Sequence, residues 1–148
     1  MNGRITTVLK PMSGRSIQEE LSARLALLDG KSRFALLLWR LPDGVPFDLL
    51  DLDSGPGEYI QCAGGVAGRF TCEVRRLSAD GSPRQEVIGR PTRDETSTVR
   101  TETIDWAENK TTVRQNEVLD FGEVCELFGS HLASGDIPAS YETRLLSP

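Results

Sequence analysis

The stretch Arg69-Phe70-Thr71-Cys72-Glu73-Val74-Arg75-Arg76-Leu77 decides how this chain is read. Phe70, Cys72 and Val74 alternate with Thr71, Glu73 and Arg75, the two-residue period of a strand that buries one face and wets the other. On its N-terminal side Glu58 to Ala63 reads as another strand, joined to it by Gly64-Gly65-Val66-Ala67-Gly68. On its C-terminal side Ala79-Asp80-Gly81-Ser82 is a turn of the Asp-Gly type that leads into a strand over Gln85 to Arg90. A run of strands with no helix between them excludes a parallel α/β fold, in which helices must alternate with strands.

Outward from this centre, Phe34 to Leu41 is apolar on both alternating faces between Lys31-Ser32 and Pro42-Asp43-Gly44, which predicts a strand in the middle of the sheet. Ile5 to Leu9 predicts a short first strand. After the polar loop Pro91 to Ser97, the β-branched runs Thr98 to Ile104 and Thr111 to Arg114 flank Glu108-Asn109-Lys110 as a hairpin. Two helices frame the strands. Ser16-Ile17-Gln18-Glu19 is a capping box ahead of Ile17, Leu21, Leu25 and Leu28, so a helix is expected from Ile17 to Asp29, closed by Gly30. Asp120-Phe121-Gly122-Glu123 is a second box, with Leu119 and Val124 as a hydrophobic staple and an apolar stripe of Phe121, Val124, Cys125, Phe128 and Leu132 ending at Ser134-Gly135. The whole, residues 1–148, reads as one α+β domain: an antiparallel meander sheet of about five or six strands with two helices packed on one face, and a short tail.

Composition narrows the function. With 148 residues, 38% of them hydrophobic and 26% charged, the chain has the make-up of one globular domain. The longest apolar run, Phe34 to Trp39, is too short to span a bilayer, and the first ten residues lack a signal-peptide core, which predicts a cytoplasmic protein. Cys62, Cys72 and Cys125 are odd in number and make no C-x-x-C pair, as expected of reduced thiols. A net charge of -5 argues against direct binding of nucleic acid. The acidity is concentrated: no Lys or Arg occurs between Arg40 and Arg69, where Asp43, Asp48, Asp51, Asp53 and Glu58 fall, whereas Arg69 to Arg100 carries seven arginines.

No set of residues points to catalysis, to a metal or to a cofactor. The glycine stretch 64–68 lacks the phosphate-loop order and the helix that would follow it, so it reads as a turn. His131 is the only histidine. Its place in the last turn of the second helix suits a cation at a helix C-terminus, and Ser130 beside it points elsewhere. Asp48, Asp51 and Asp53 lack the spacing of a calcium loop and read as a solvated acidic loop or, with Glu58, as an acidic contact surface. Trp39 belongs to the core. Trp106, in Asp105-Trp106-Ala107-Glu108, is a large aromatic among polar residues at a hairpin end: either it packs under the hairpin or it anchors a partner. The candidate contact residues are thus Asp48, Asp51, Asp53, Glu58, Asp105 and Trp106.

Val118 to Phe128 with Ser134-Gly135-Asp136-Ile137-Pro138-Ala139-Ser140-Tyr141 resembles the closing helix and tail of immunity proteins from bacterial polymorphic toxin systems. The similarity is strongest to the type found beside deaminase-fold toxins, and Glu58 to Gly64 and Arg69 to Arg75 are similar to its central strands. The resemblance covers about half of the chain. It implies a small acidic cytosolic protein, monomeric, that binds one cognate toxin domain and blocks its active site, with no enzymatic activity of its own. An acidic homodimeric secretion chaperone has the same mass, charge and mixed composition and is the alternative; a small-molecule enzyme would need a concave polar site.

Overall fold

Two side chains start the helices. The Ser16 hydroxyl accepts a hydrogen bond from the Glu19 N–H at 3.1 Å and opens α1, Ile17–Leu25. Asp120 accepts from the Glu123 N–H at 2.8 Å while Glu123 accepts from the Asp120 N–H at 3.0 Å, and this reciprocal box opens α2, Phe121–Ser134. Gly135, left-handed at φ 78°, closes α2 by donating to the His131 carbonyl. The computed structural model in which these contacts are seen describes residues 9, 14–41, 57–92 and 100–146. Of the strand expected over Ile5 to Leu9, only Leu9 falls among the described residues, packed against the core.

Five strands form the main sheet in the order β1-β2-β3-β4-β7, every neighbouring pair antiparallel. They are β1, Ala35–Leu38; β2, Tyr59–Gly64; β3, Phe70–Leu77; β4, Pro83–Gly89; and β7, Glu142–Leu145. Among the described residues, β5, Thr101–Trp106, and β6, Asn109–Arg114, pair only with each other. The fold is therefore α+β with a meander of antiparallel strands, as the alternation in β3 implies. Ile60, Cys62, Cys72, Val74 and Ile88 project from one face of the sheet and join Leu21, Leu25, Val124, Leu127 and Phe128 in a single core, so both helices cover the same face. Phe128, Val124 and Leu127 are fully buried.

Four elements sit differently from the sequence reading. β1 is an edge of the sheet among the described residues, and β3 is its centre. The apolar run of Phe34 to Leu41 has one face on the core and, among the described residues, no pairing on its outer edge: Leu36 and Leu38 pack on the helix-side core and the Phe34 ring lies against Trp106, while Ala35 on the opposite face is exposed. α1 ends at Leu25 and not at Asp29, because the Asp29 carboxylate accepts from the N–H groups of Lys31 and Arg33 and from the Ser32 hydroxyl, organising a loop in place of a last turn. Gly30 is left-handed but belongs to that loop, where a Cβ would overlap the Val66 side chain. The tail contributes a strand, β7, whose short polar sequence gave no sign of it; the ladder to β4 and the bonds from Arg144 to Glu117, both at 2.8 Å, hold it in place. The stripe of α2 is also rotated: Phe121 is exposed, while Leu127 and His131 are buried.

The hairpin β5–β6 lies across the end of the main sheet where β2 turns into β3. Asn116 docks on the backbone of Arg90, Arg69 pairs with Glu102 at 3.0 Å, and the Ala107 N–H donates to the Gly30 carbonyl at 2.7 Å. Its turn is Ala107-Glu108, one residue earlier than expected, with Trp106 opposite Asn109. One hairpin face, Thr101, Thr103, Asp105, Lys110, Thr112 and Arg114, is wholly exposed; the other carries buried Ile104 and Val113.

Phe128 is the largest fully buried side chain. Phe128→Ala is expected to lower stability by roughly 3–5 kcal/mol in a denaturant titration, the cost of an unfilled aromatic site between helix and sheet.

Candidate protein-binding surface

The acids and the aromatic that the sequence offers as contacts do not come together. Asp48, Asp51 and Asp53 lie outside the described residues. The residues that bracket their segment stand at one end of the sheet: Leu38 is paired with Ile60, the Gly57 carbonyl accepts from Arg75 Nε at 3.1 Å, and the exposed Glu58 carboxylate accepts from the Leu77 N–H at 3.3 Å. Asp105 and Trp106 stand at the other end, beside Gly30 and Phe34. The six residues of β2 separate the two groups by on the order of 20 Å, at roughly 3.3 Å per residue.

Trp106 is engaged within the fold. Its ring centroid is 5.6 Å from that of Phe34, and its Nε1–H donates to the Thr111 hydroxyl at 2.8 Å. The one-residue displacement of the turn is the cause, since it moves Trp106 from the loop into β5 and onto the inner hairpin face. Asp105, on the outer face, is exposed opposite Lys110 at 3.8 Å.

What does converge at the Glu58 end is a group of half-buried polar side chains on the face away from the helices. By alternation, Tyr59, Gln61, Glu73, Arg75 and Gln85 share that face across β2, β3 and β4. Gln61 Nε2 and Gln85 Nε2 both donate to Glu73 Oε2, at 2.5 and 2.9 Å, and the Tyr59 hydroxyl donates to Gln85 Oε1 at 3.2 Å. Two amides from two strands thus fix one carboxylate in place, and a carboxylate already oriented loses little freedom when it meets a cation. The alternation of Thr71, Glu73 and Arg75 marks this face as polar, but Gln61 and Gln85 enter only through the strand register, which no local pattern carries. Thr71 departs from the expected wet face: it is buried, 5% exposed, beneath the region the hairpin reaches.

The glycine N–H groups of the 64–68 connection are committed within the fold. Gly65 N–H donates to the Arg69 carbonyl and Gly68 N–H to the Gly65 carbonyl, so these donors are used inside the turn. Gly65, at φ 118°, lets the backbone approach Leu28 and Gly30, where a Cβ would lie 2.8 Å from the Gly30 nitrogen. Among the described residues no group of three His, Cys, Asp or Glu side chains is placed to hold a metal ion. Compared with protein-family models, with curated proteins and with solved structures, the chain matches none.

His131 is not the exposed helix-end cation its position suggested. It is 3% exposed, and its Nδ1 and the Nε of Arg76 are buried without a hydrogen-bond partner among the described residues. Burial pushes its pKa below the ordinary value; Arg40 and Arg76 push the same way, while Asp136 and Glu58 oppose them. Arg76 is itself paired with Asp136 at 2.8 Å. Glu117 is shifted for another reason. Burial pushes its carboxyl up, but the Arg144 guanidinium and the Arg114 N–H outweigh burial and hold it below the usual range.

Two mutational outcomes follow from this packing. Trp106→Ala is expected to destabilise the free protein by about 2 kcal/mol, roughly half the cost at a fully buried aromatic, as read by denaturant titration. The neutral His131 ring contributes stability above the ordinary pKa of 6.5, because the unfolded chain takes up that proton first. Thermal midpoints should therefore fall as pH drops below about 6.5 and level off at the folded pKa. A second fall, below the ordinary carboxyl values, belongs to Glu117 together with Asp29 and Asp80, whose carboxyls are also held below the usual range by the hydrogen bonds they accept. His131→Phe should abolish the first fall and leave the second; a first fall that survives the substitution assigns it to another group.

Proposed function

We propose that this chain is an immunity-type inhibitor that binds a protein toxin domain, one acting on nucleic acid such as a deaminase, and occludes its active site. The observation that supports this reading best is the Glu73 carboxylate, held by Gln61 and Gln85 on a sheet face at the end where the acid-rich segment departs and returns. A domain that acts on nucleic acid carries a basic channel, and an acidic inhibitor meets it with steering over distance and charge complementarity on contact. In this reading the interface comprises Asp48, Asp51, Asp53, Glu58 and Glu73, and Asp105 with Trp106 serves the hairpin. The net charge of -5 and the resemblance of the closing helix and tail to immunity proteins support the same conclusion.

The test begins at the locus. A large secreted protein with a short C-terminal toxin domain encoded upstream supplies the probe, and co-expression of this chain should restore growth in cells making that domain. Reversing two charges, Asp48→Lys with Asp51→Lys, should slow association at least several-fold and flatten its salt dependence, with the thermal midpoint of the free protein unchanged. Unaltered association rates would move the interface elsewhere. Light scattering of the purified chain distinguishes a monomeric inhibitor from the homodimeric chaperone.

A further inference from the structure

Cys62 and Cys72 face each other across the two most central strands. They are directly paired in the β2–β3 register, both project into the helix-side core, and they are 2% and 0% exposed. The backbone determines which kind of pair they are. The Gly65 N–H donates to the Arg69 carbonyl and the Ser78 N–H to the Ser82 carbonyl, and these bonds lie in the same registers that pair β2 with β3 and β3 with β4. From Thr71 to Arg76, odd-numbered residues of β3 therefore bond to β2 and even-numbered ones to β4, as the bonds of Phe70 to Leu119 on the side away from β2 also require. Cys72 bonds to Ile88 on β4, which makes Cys62 and Cys72 a pair without backbone hydrogen bonds between them.

Such pairs bring side chains closest, with Cα atoms about 4.5 Å apart. That lies at the short end of the range of roughly 4.4–6.8 Å that a disulfide spans. After burial, the neighbouring Cys62 thiol is the main influence that holds the Cys72 pKa above its ordinary value. Cys125 stands apart on α2, half-buried at the core margin beside Ser22.

We propose that Cys62 and Cys72 are an oxidisable pair, closed to a cross-strand disulfide by exchange with a low-molecular-weight disulfide such as oxidised glutathione. One protein thiol loses its proton to solvent and attacks a glutathione sulfur, the glutathione S–S bond breaks, and one glutathione leaves as thiolate. The second protein thiolate then attacks the protein sulfur of the mixed disulfide and expels the other glutathione. Two protein thiols are oxidised, one small disulfide is reduced, and the released thiolates take up the two protons. The product ties β2 to β3 without moving either strand. Both sulfurs lie under the helices and burial holds the Cys72 thiol above its ordinary pKa, so the exchange waits on local opening of the helix-side core, is slow, and accelerates with pH.

The experiment uses the full chain, reduced, desalted and incubated folded with oxidised glutathione, then alkylated in denaturant and digested with trypsin. Cleavage at Arg40, Arg69 and Arg75 leaves Cys62 in Leu41 to Arg69 and Cys72 in Phe70 to Arg75, while Cys125 falls in Gln115 to Arg144. A covalent link between the first two peptides is expected, lost on reduction, retained in Cys125→Ser and absent in Cys72→Ala. Three alkylatable thiols persisting over the full oxidant range would overturn the assignment. So would a link to Cys125, or a Cys62–Cys72 link that forms only when denaturant is present during oxidation.

Discussion

From Thr71 to Arg76 of β3, the residues direct their backbone hydrogen-bonding groups alternately to two neighbours, β2 for odd-numbered positions and β4 for even-numbered ones, while Phe70 bonds to Leu119. The same parity determines which face a side chain takes. Cys72 and Val74 point to the helices while they bond to β4, which leaves them free to approach Cys62 and Ile60 closely on the other side. The tightest cross-strand packing thus lies directly beneath Val124, Leu127 and Phe128. A slip of one residue would put Glu73 and Arg75 into that core and Val74 on the polar face, so helix docking and the polar group around Glu73 rest on one register.

Features encoded within a few residues of one another were legible in the sequence. The Ser16 N-cap, the Asp120–Glu123 capping box and the Asp-Gly turn depend on contacts no more than one turn away and stand where the residues imply; at Ser16 the Glu19 carboxylate accepts from the hydroxyl and not from the backbone N–H, and β3 keeps its alternation except at buried Thr71. Lateral strand order was not legible. An apolar run looks the same whether its strand is flanked on two edges or on one, and Phe34 to Leu41 is the second case among the described residues. β7 is the converse: Glu142-Thr143-Arg144-Leu145 has no apolar alternation, and its strand is imposed by a partner, β4, far away in sequence.

The candidate surface divides along the same line. The acidity of the segment between Arg40 and Arg69 is a property of composition, and it is plain from the residues alone. The environment of Trp106 hinges on a single turn position, Ala107 in the left-handed region at φ 54°, an uncommon conformation for a side chain with a Cβ and one that no local preference announces. His131 shows the limit of position as a guide. Helix-end placement suits a charged imidazole, yet the rotation of α2 that buries Leu127 buries the ring as well.

The Glu117–Arg144 pair joins the turn after β6 to the last strand across 27 residues, and α2 lies between them. Helix and final strand are thereby closed into a loop clasped on the main sheet. Peeling β7 away would take the Arg144 guanidinium from a carboxylate that is 2% exposed and leave it only the Arg114 N–H, a loss that opposes the motion. Fraying at that margin, ordinarily the cheapest motion of an edge strand, is coupled here to exposing the turn that carries Glu117. Opening of β7, an edge strand among the described residues, is therefore expected to be cooperative with that turn, with amide protons exchanging on the timescale of the core.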